Sequence, residues 1–206
     1  MARRSSQRVA DPPQGFQYRP DLLSPAEEAR LLGELGRVAL AAPVLHGTSA
    51  RRLTAHFGWS YALEDRLLQP ALPIPDDLLR LRRHAAELAD VDPESLAEVL
   101  VTRYPPGAGI GWHRDAPQFG TPVVGVSLAS ACRLRLRRPR PDSYELHELL
   151  LEPRSGYVLR GSARWQWQHS IPAVTAERWS VTFRTLRQPR ALVSLPRPSP
   201  APAPGG

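Results

Sequence analysis

From about residue 99 onward, the apolar residues of this chain stop recurring at helical spacing and begin to alternate. Candidate strands are Val99–Tyr104, Val123–Leu128, Arg133–Arg137, Tyr144–Leu151, Tyr157–Leu159, Trp165–His169 and Trp179–Leu186. Turn residues separate several of them: Pro105-Pro106-Gly107, then Pro139 to Ser143, then Pro153 to Gly156. Upstream the period is helical. Ser24-Pro25-Ala26-Glu27 reads as a helix start, with Ser as N-cap, Pro at the first helical position and Glu placed for a capping box. Leu31, Leu32, Leu35 and Val38 follow it at helical spacing. A second helix is predicted from about Asp77 to Leu88, and Asp92-Pro93 can cap a short third turn. Two or three helices before many short strands predict an α+β chain with helices packed on a β-sandwich or jelly roll.

The ends differ in character. Residues 1–20 are polar and hold Pro12, Pro13 and Pro20, and are expected to be a flexible arm or extended lead-in. Residues 189–206 end in PRPSPAPAPGG and are expected to be disordered. One domain over residues 21–188 is expected between them. No stretch approaches the roughly 20 apolar residues of a membrane span, and Met1 to Gln14 lack the apolar core of a secretory signal. Cys132 is the single cysteine, so neither an internal disulfide nor a cysteine metal cluster can form. A reducing cytoplasm is the expected location and a monomer the expected state. The net charge is +7, which suits nucleic acid. With no Lys, no Asn and only three Ile, part of that basicity also reads as codon bias.

The chemistry concentrates at Gly111-Trp112-His113-Arg114-Asp115. In an extended chain residues two apart point the same way, so His113 and Asp115 can aim at one point. His169 follows far along the chain in Trp165-Gln166-Trp167-Gln168-His169-Ser170. Two imidazoles and a carboxylate form the facial triad of non-haem Fe(II) oxygenases and leave coordination positions open. Alone, an H-x-D pair also occurs by accident, and a lone histidine is commonly a surface or satisfied core residue. Arg178-Trp179-Ser180-Val181-Thr182-Phe183-Arg184 adds context. Alternation puts Arg178, Ser180, Thr182 and Arg184 on one face. If that face is internal, two guanidiniums require anionic partners, and a dicarboxylate supplies two. The competing reading is an outer strand with solvated arginines. Thr102 and Tyr104 share a strand face and can offer hydroxyls to one ligand, or simply pack.

Together these pieces resemble the AlkB family of Fe(II)- and 2-oxoglutarate-dependent dioxygenases. The resemblance rests on Val101 to Asp115, Gly125-Val126-Ser127-Leu128, Trp167 to Pro172, and Arg178 to Arg184, in the family's order over roughly residues 20–187. It implies a double-stranded β-helix (jelly roll) with N-terminal helices and a nucleotide-recognition region. It implies His113, Asp115 and His169 as the catalytic iron ligands. It implies that Arg184 grips the 2-oxoglutarate carboxylate nearest the iron, that Arg178 grips the distal one, and that Tyr104 hydrogen-bonds the cosubstrate. Thr102 and Ser180 stand where the family often has Asn; both keep a hydrogen-bonding group. Pro117 stands where some DNA-repair members carry an acidic base-contacting residue.

The implied reaction consumes 2-oxoglutarate and dioxygen and demethylates N-methylated bases of DNA or RNA, with methylated single-stranded nucleic acid as partner. Alternatives are the same chemistry on a protein side chain or small molecule, a non-catalytic nucleic-acid-binding jelly roll, and a zinc hydrolase on the same two His and one Asp. Candidate substrate contacts are His56, Trp59, Tyr61 and Arg114. The segment Arg51 to Tyr61 mixes cations and aromatics that can stack a base, although Phe57, Trp59 and Tyr61 can equally alternate along a packed strand. Arg133, Arg135 and Arg137 alternate with Leu134 and Leu136 as a one-face-wet strand, read as solvated rather than as a phosphate track.

Overall fold

The first helix starts where its residues predict. In α1 (Pro25–Leu35), Ser24 Oγ accepts from the Glu27 N–H, and Glu27 Oε2 accepts from the Ser24 N–H at 2.8 Å, a complete capping box. Helix α2 (Asp76–Ala89) buries Leu78, Leu81, Ala85 and Leu88 on one face and stops at Asp90, whose φ of 50° is left-handed. A 3₁₀ turn at Pro93–Ser95 follows, capped by the Asp92 side chain. The computed structural model describes residues 11–45, 47–62 and 67–187. The predicted tail from 189, and residues 1–10 of the predicted arm, lie outside them.

Among the described residues the early strands are β1 (Phe16–Arg19), β2 (Val44–Leu45), β3 (Thr48–Ser49), β4 (Leu53–Phe57), β5 (Trp59–Ala62) and β6 (Leu67–Pro70). After α2 come β7 (Glu98–Tyr104), β8 (Ile110–His113), β9 (Phe119–Leu128), β10 (Cys132–Arg140), β11 (Ser143–Leu151) and β12 (Ser155–Leu159). A short helix α3 (Gly161–Trp165) then leads to β13 (Gln168–Ile171) and β14 (Arg178–Leu186). The major sheet has the order β1-β12-β9-β14-β7-β4 and the minor sheet β11-β10-β13-β8, with every pairing antiparallel. The two sheets face each other as a jelly roll, and the helices cover the far side of the major sheet.

Strand β14 joins the two cores. Its Trp179, Val181 and Phe183 pack with Leu31, Leu35, Leu78 and Leu81 of the helices. Its other face looks into the space between the sheets, where Tyr104, Val123, Leu134, Leu136, Tyr157 and Trp167 form the second core. The alternation read along Arg178–Arg184 is therefore a partition between helix-side core and sheet interior.

Three expectations are corrected. Phe16–Arg19, read as part of a flexible arm, pair with β12 at the sheet edge. Phe57, Trp59 and Tyr61 do not lie along one strand, because Gly58 at φ 72° separates β4 from β5. A side chain there would strike the Ala97 carbonyl, with Cβ 2.1 Å from its oxygen. Trp165–His169 is not one strand: Trp165 ends α3, and Trp167 precedes β13 and is buried at 2% exposure while Trp165 is 38% exposed. Trp165 therefore shares no strand face with His169.

Candidate active site

Three distant segments meet in the interior. His113 ends β8, Asp115 lies in the loop two residues on, and His169 sits in β13 directly opposite His113 in register. The two imidazole centroids are 4.2 Å apart, and Asp115 Oδ2 is 4.0 Å from His169 Nε2.

The surroundings set each donor's state. His113 Nδ1 is 2.9 Å from the Gly111 carbonyl oxygen. That oxygen can only accept, so the proton sits on Nδ1 and Nε2 is left as the donor atom for a metal. Burial lowers the His113 pKa. Burial, reinforced by His113, lowers His169 to about 3, so both rings are neutral at physiological pH. Burial alone would raise the Asp115 carboxyl, but Arg184, then His169 and His113, hold it well below the usual carboxylate range. Arg184 also shapes that carboxylate. Its Nε donates to Asp115 Oδ1 at 2.8 Å and its Nη2 lies 2.6 Å from the same oxygen, leaving Oδ2 to face His169.

Two neutral imidazoles and an ionised carboxylate are the donor set that a ferrous ion takes in a facial triad. Cis donors around one ion at about 2.1 Å stand about 3 Å apart, so the 4.0 Å separation must close by a side-chain rotation. In agreement, among the described residues no group of three or more His, Cys, Asp or Glu side chains stands at metal-binding separations. The donors fit the metal in type, and His113 in tautomer; their spacing would fit it only after that rotation.

The second half of the constellation is Arg178. It is fully buried, its Nε donates to Ser127 Oγ at 3.2 Å, and Nη1 and Nη2 have no hydrogen-bond partner. Its guanidinium lies 5.1 Å from the centroid of the Tyr104 ring. A buried cation with two unpaired donor groups is costly unless an anion completes it. Thr102 and Ser180 are directly opposite in register, both buried, and both line the cavity with Tyr104. Burial raises the Tyr104 pKa, keeping the phenol a neutral donor.

Arg184, expected to grip the cosubstrate carboxylate nearest the iron, is held between two protein carboxylates. Besides Asp115 it pairs with the wholly buried Glu98, whose oxygens are 3.0 and 3.2 Å from Nη1. Glu98 Oε1 is also 3.1 Å from His56 Nδ1. The sequence reading missed Glu98. Its signal was the antiparallel register that sets Glu98 opposite Arg184, which only pairing reveals. It also missed Arg164, 2% exposed, whose guanidinium donates to the carbonyls of Asp115, Ala116, Phe119 and Gly120. One side chain thus pins the loop that carries Asp115.

The cavity measures ≈ 530 Å³ and is lined by the three candidate ligands, by Thr102, Tyr104, Ser180 and Arg184, and by His56, Tyr61 and Arg114. Trp59, expected as a substrate contact, is not among its lining residues; it stands opposite Pro70 in the β5–β6 hairpin. Arg52, Trp112 and Phe119 line it instead, Phe119 against Tyr61 at 6.2 Å.

Comparison with known proteins agrees with this fold. Residues 15–191 match the family model described as the 2OG-Fe(II) oxygenase superfamily. A probable RNA/DNA demethylase, ALKBH6 of Danio rerio, is 29% identical over 176 residues, covering 81% of this chain and 73% of the relative. The mitochondrial alpha-ketoglutarate-dependent dioxygenase alkB homolog 7 of Bos taurus is 34% identical over 155 residues, 74% of this chain and 65% of the relative. Among solved structures, OsALKBH1 superposes with a TM-score of 0.63 at 18% identity, over 85% of this chain and 98% of that one, which shows a shared fold. The chain belongs to the 2OG-Fe(II) oxygenase superfamily, in its AlkB group, and is a dioxygenase that uses Fe(II), 2-oxoglutarate and dioxygen.

Proposed function

We propose that this dioxygenase removes N-methyl groups from bases of single-stranded DNA or RNA, with iron held by His113, Asp115 and His169. The observation that carries the site assignment is the buried Arg178 fork, unpaired at both Nη atoms; Arg178 does not itself line the cavity that holds the triad but stands beside Tyr104, which does. Arg178 receives the distal carboxylate of 2-oxoglutarate, and Tyr104, Thr102 and Ser180 supply neutral donors along its length. Arg184 holds Asp115 through Oδ1 and leaves Oδ2 as the oxygen that would hold iron, and its guanidinium would attract the cosubstrate's other carboxylate.

When bound, iron with 2-oxoglutarate and dioxygen supplies the oxidant, and the protein places the substrate methyl carbon and excludes water. A methyl C–H becomes C–OH, 2-oxoglutarate becomes succinate and CO2, and the N-hydroxymethyl base releases formaldehyde. His56, Tyr61, Arg114 and Trp112 border the remaining space beside His113, where a flat base can enter. The nucleic-acid assignment is supported by that aromatic and cationic rim and by the relative whose name states an RNA/DNA demethylase.

The test is direct. With Fe(II), ascorbate and 2-oxoglutarate, the protein is expected to convert oligonucleotides carrying 1-methyladenine or 3-methylcytosine to the demethylated form, read by mass spectrometry, with succinate formed in step. Intact oligonucleotides beside a protein or small molecule that gains oxygen would replace the nucleic-acid assignment while leaving the iron site standing.

A further inference from the structure

Arg135 and Arg137, read from the sequence as a solvated strand face, are built into an ordered arrangement. On the outer face of the minor sheet the Arg135 guanidinium lies 4.8 Å from the centroid of the Trp112 ring, and Arg137 lies 4.4 Å from the same ring. Arg137 also lies 4.4 Å from the half-exposed Tyr144 ring. Each is anchored through Nε to a neutral acceptor of β13: Arg135 to Ser170 Oγ at 3.1 Å, and Arg137 to Gln168 Oε1 at 2.8 Å.

Their neighbours are charge-paired. Arg133 faces Glu148 at 3.6 Å, and Arg138 and Arg140 converge on Glu145. Among the described residues no carboxylate lies within 4.0 Å of Arg135 or Arg137, and their Nη groups have no protein acceptor. Stacking fixes the plane of a guanidinium, and an occupied Nε fixes its rotation. What remains outward is a pair of N–H groups, the fork that a phosphate accepts bidentately. Two residues along one strand place the forks roughly 7 Å apart, the scale of a nucleotide step. The platform is also continuous with the active site. Trp112 borders the cavity and precedes His113, and Ser170 follows His169.

We propose that Arg135 and Arg137, with Trp112 and Tyr144, form a docking track for the phosphate backbone of the single-stranded nucleic acid whose reactive base enters beside His113. The track rests on the nucleic-acid assignment above and adds the path of the strand. Unpaired cations alone would suit any polyanion. Trp112 is already covered by the two guanidiniums, but the half-exposed Tyr144 ring at the end of the stack can offer stacking to an unpaired base, which favours a nucleic-acid strand over an acidic peptide.

The experiment measures binding of a fluorescein-labelled, unmodified 15-nucleotide single strand to the full chain from 50 to 200 mM NaCl, by anisotropy. Compared are the wild type, Arg135→Gln/Arg137→Gln and Arg135→Lys/Arg137→Lys, each checked by circular dichroism for a native spectrum. Two lost phosphate contacts are expected to reduce the slope of log K against log salt by about 1.4 and to weaken binding roughly tenfold or more. The Lys pair is expected to keep the slope but still lose affinity, because it keeps charge without fork or stack. An unchanged slope in the Gln pair overturns the track, and so does equal competition by polyglutamate. If the Gln pair binds as the wild type does and the wild type still demethylates oligonucleotides, the track alone fails. If the wild type neither binds nor demethylates strands, both assignments fail.

Discussion

Replacing Arg178 by Met should move apo stability and cosubstrate binding in opposite directions. In the apo protein the guanidinium is fully buried with two unpaired donor groups. An apolar side chain of similar volume relieves that cost, and exchanges of buried ionic groups for apolar ones are neutral or stabilising by about 1–4 kcal/mol. With roughly 2–4 °C per kcal/mol for a chain of this size, the apo melting temperature should hold or rise by several degrees. Cosubstrate binding behaves oppositely. Losing a desolvated partner of a carboxylate costs about 2–5 kcal/mol, hence roughly a 30-fold or larger rise in the dissociation constant of 2-oxoglutarate. At a concentration 100-fold above its dissociation constant, 2-oxoglutarate stabilises the wild type by about 2.7 kcal/mol. At that same concentration the variant should gain less than about 0.9 kcal/mol. Anaerobic thermal unfolding with Fe(II), with and without 2-oxoglutarate, reads both quantities. An apo variant that melts well below the wild type, with an undiminished shift on adding 2-oxoglutarate, would refute the assignment of Arg178 to the cosubstrate.

Three further outcomes follow from single side chains. Glu98→Ala leaves one side of the buried Arg184 unpaired and should cost about 3 kcal/mol or more in a denaturant titration; a loss under about 1 kcal/mol would mean the pair is dispensable. Arg164→Lys keeps charge but cannot span the carbonyls of Asp115, Ala116, Phe119 and Gly120. It should weaken Fe(II) binding by about 10-fold or more with the fold intact, and an unaltered anaerobic titration would show that the loop holds without the fork. Gly125→Ala would put its Cβ 2.3 Å from the Tyr157 ring and should destabilise by about 1–3 kcal/mol through overpacking; an unchanged melting temperature would show that the ring yields freely.

What the sequence disclosed and what it hid divide along physical lines. Local patterns were informative wherever one element decides its own geometry. The capping box at Ser24 and the alternation of Arg178–Arg184 depend on residues within a few positions. His113 and Asp115 were paired by strand parity, and both line one cavity, although β8 ends at His113 and Arg164 holds the loop beyond it. Pairings across strands were hidden, because Glu98 meets Arg184 only through the β7–β14 register and Arg135 meets Trp112 only through the order of the minor sheet. Short runs misled where local chemistry was ambiguous. The tryptophans at 165 and 167 suggested a strand, but the chain turns helical at Gly161 and buries Arg164 on the Asp115 loop. Phe16–Arg19 looked polar enough for an arm, yet an edge strand needs burial on one face only.

The proposed iron site is open to one decisive observation: a crystal structure of the full chain grown anaerobically with Fe(II) and 2-oxoglutarate. The metal should lie about 2.1 Å from His113 Nε2, Asp115 Oδ2 and His169 Nε2 together, with a cosubstrate carboxylate on the Arg178 fork. Iron bound by other residues, or 2-oxoglutarate seated away from Arg178, would contradict the proposal.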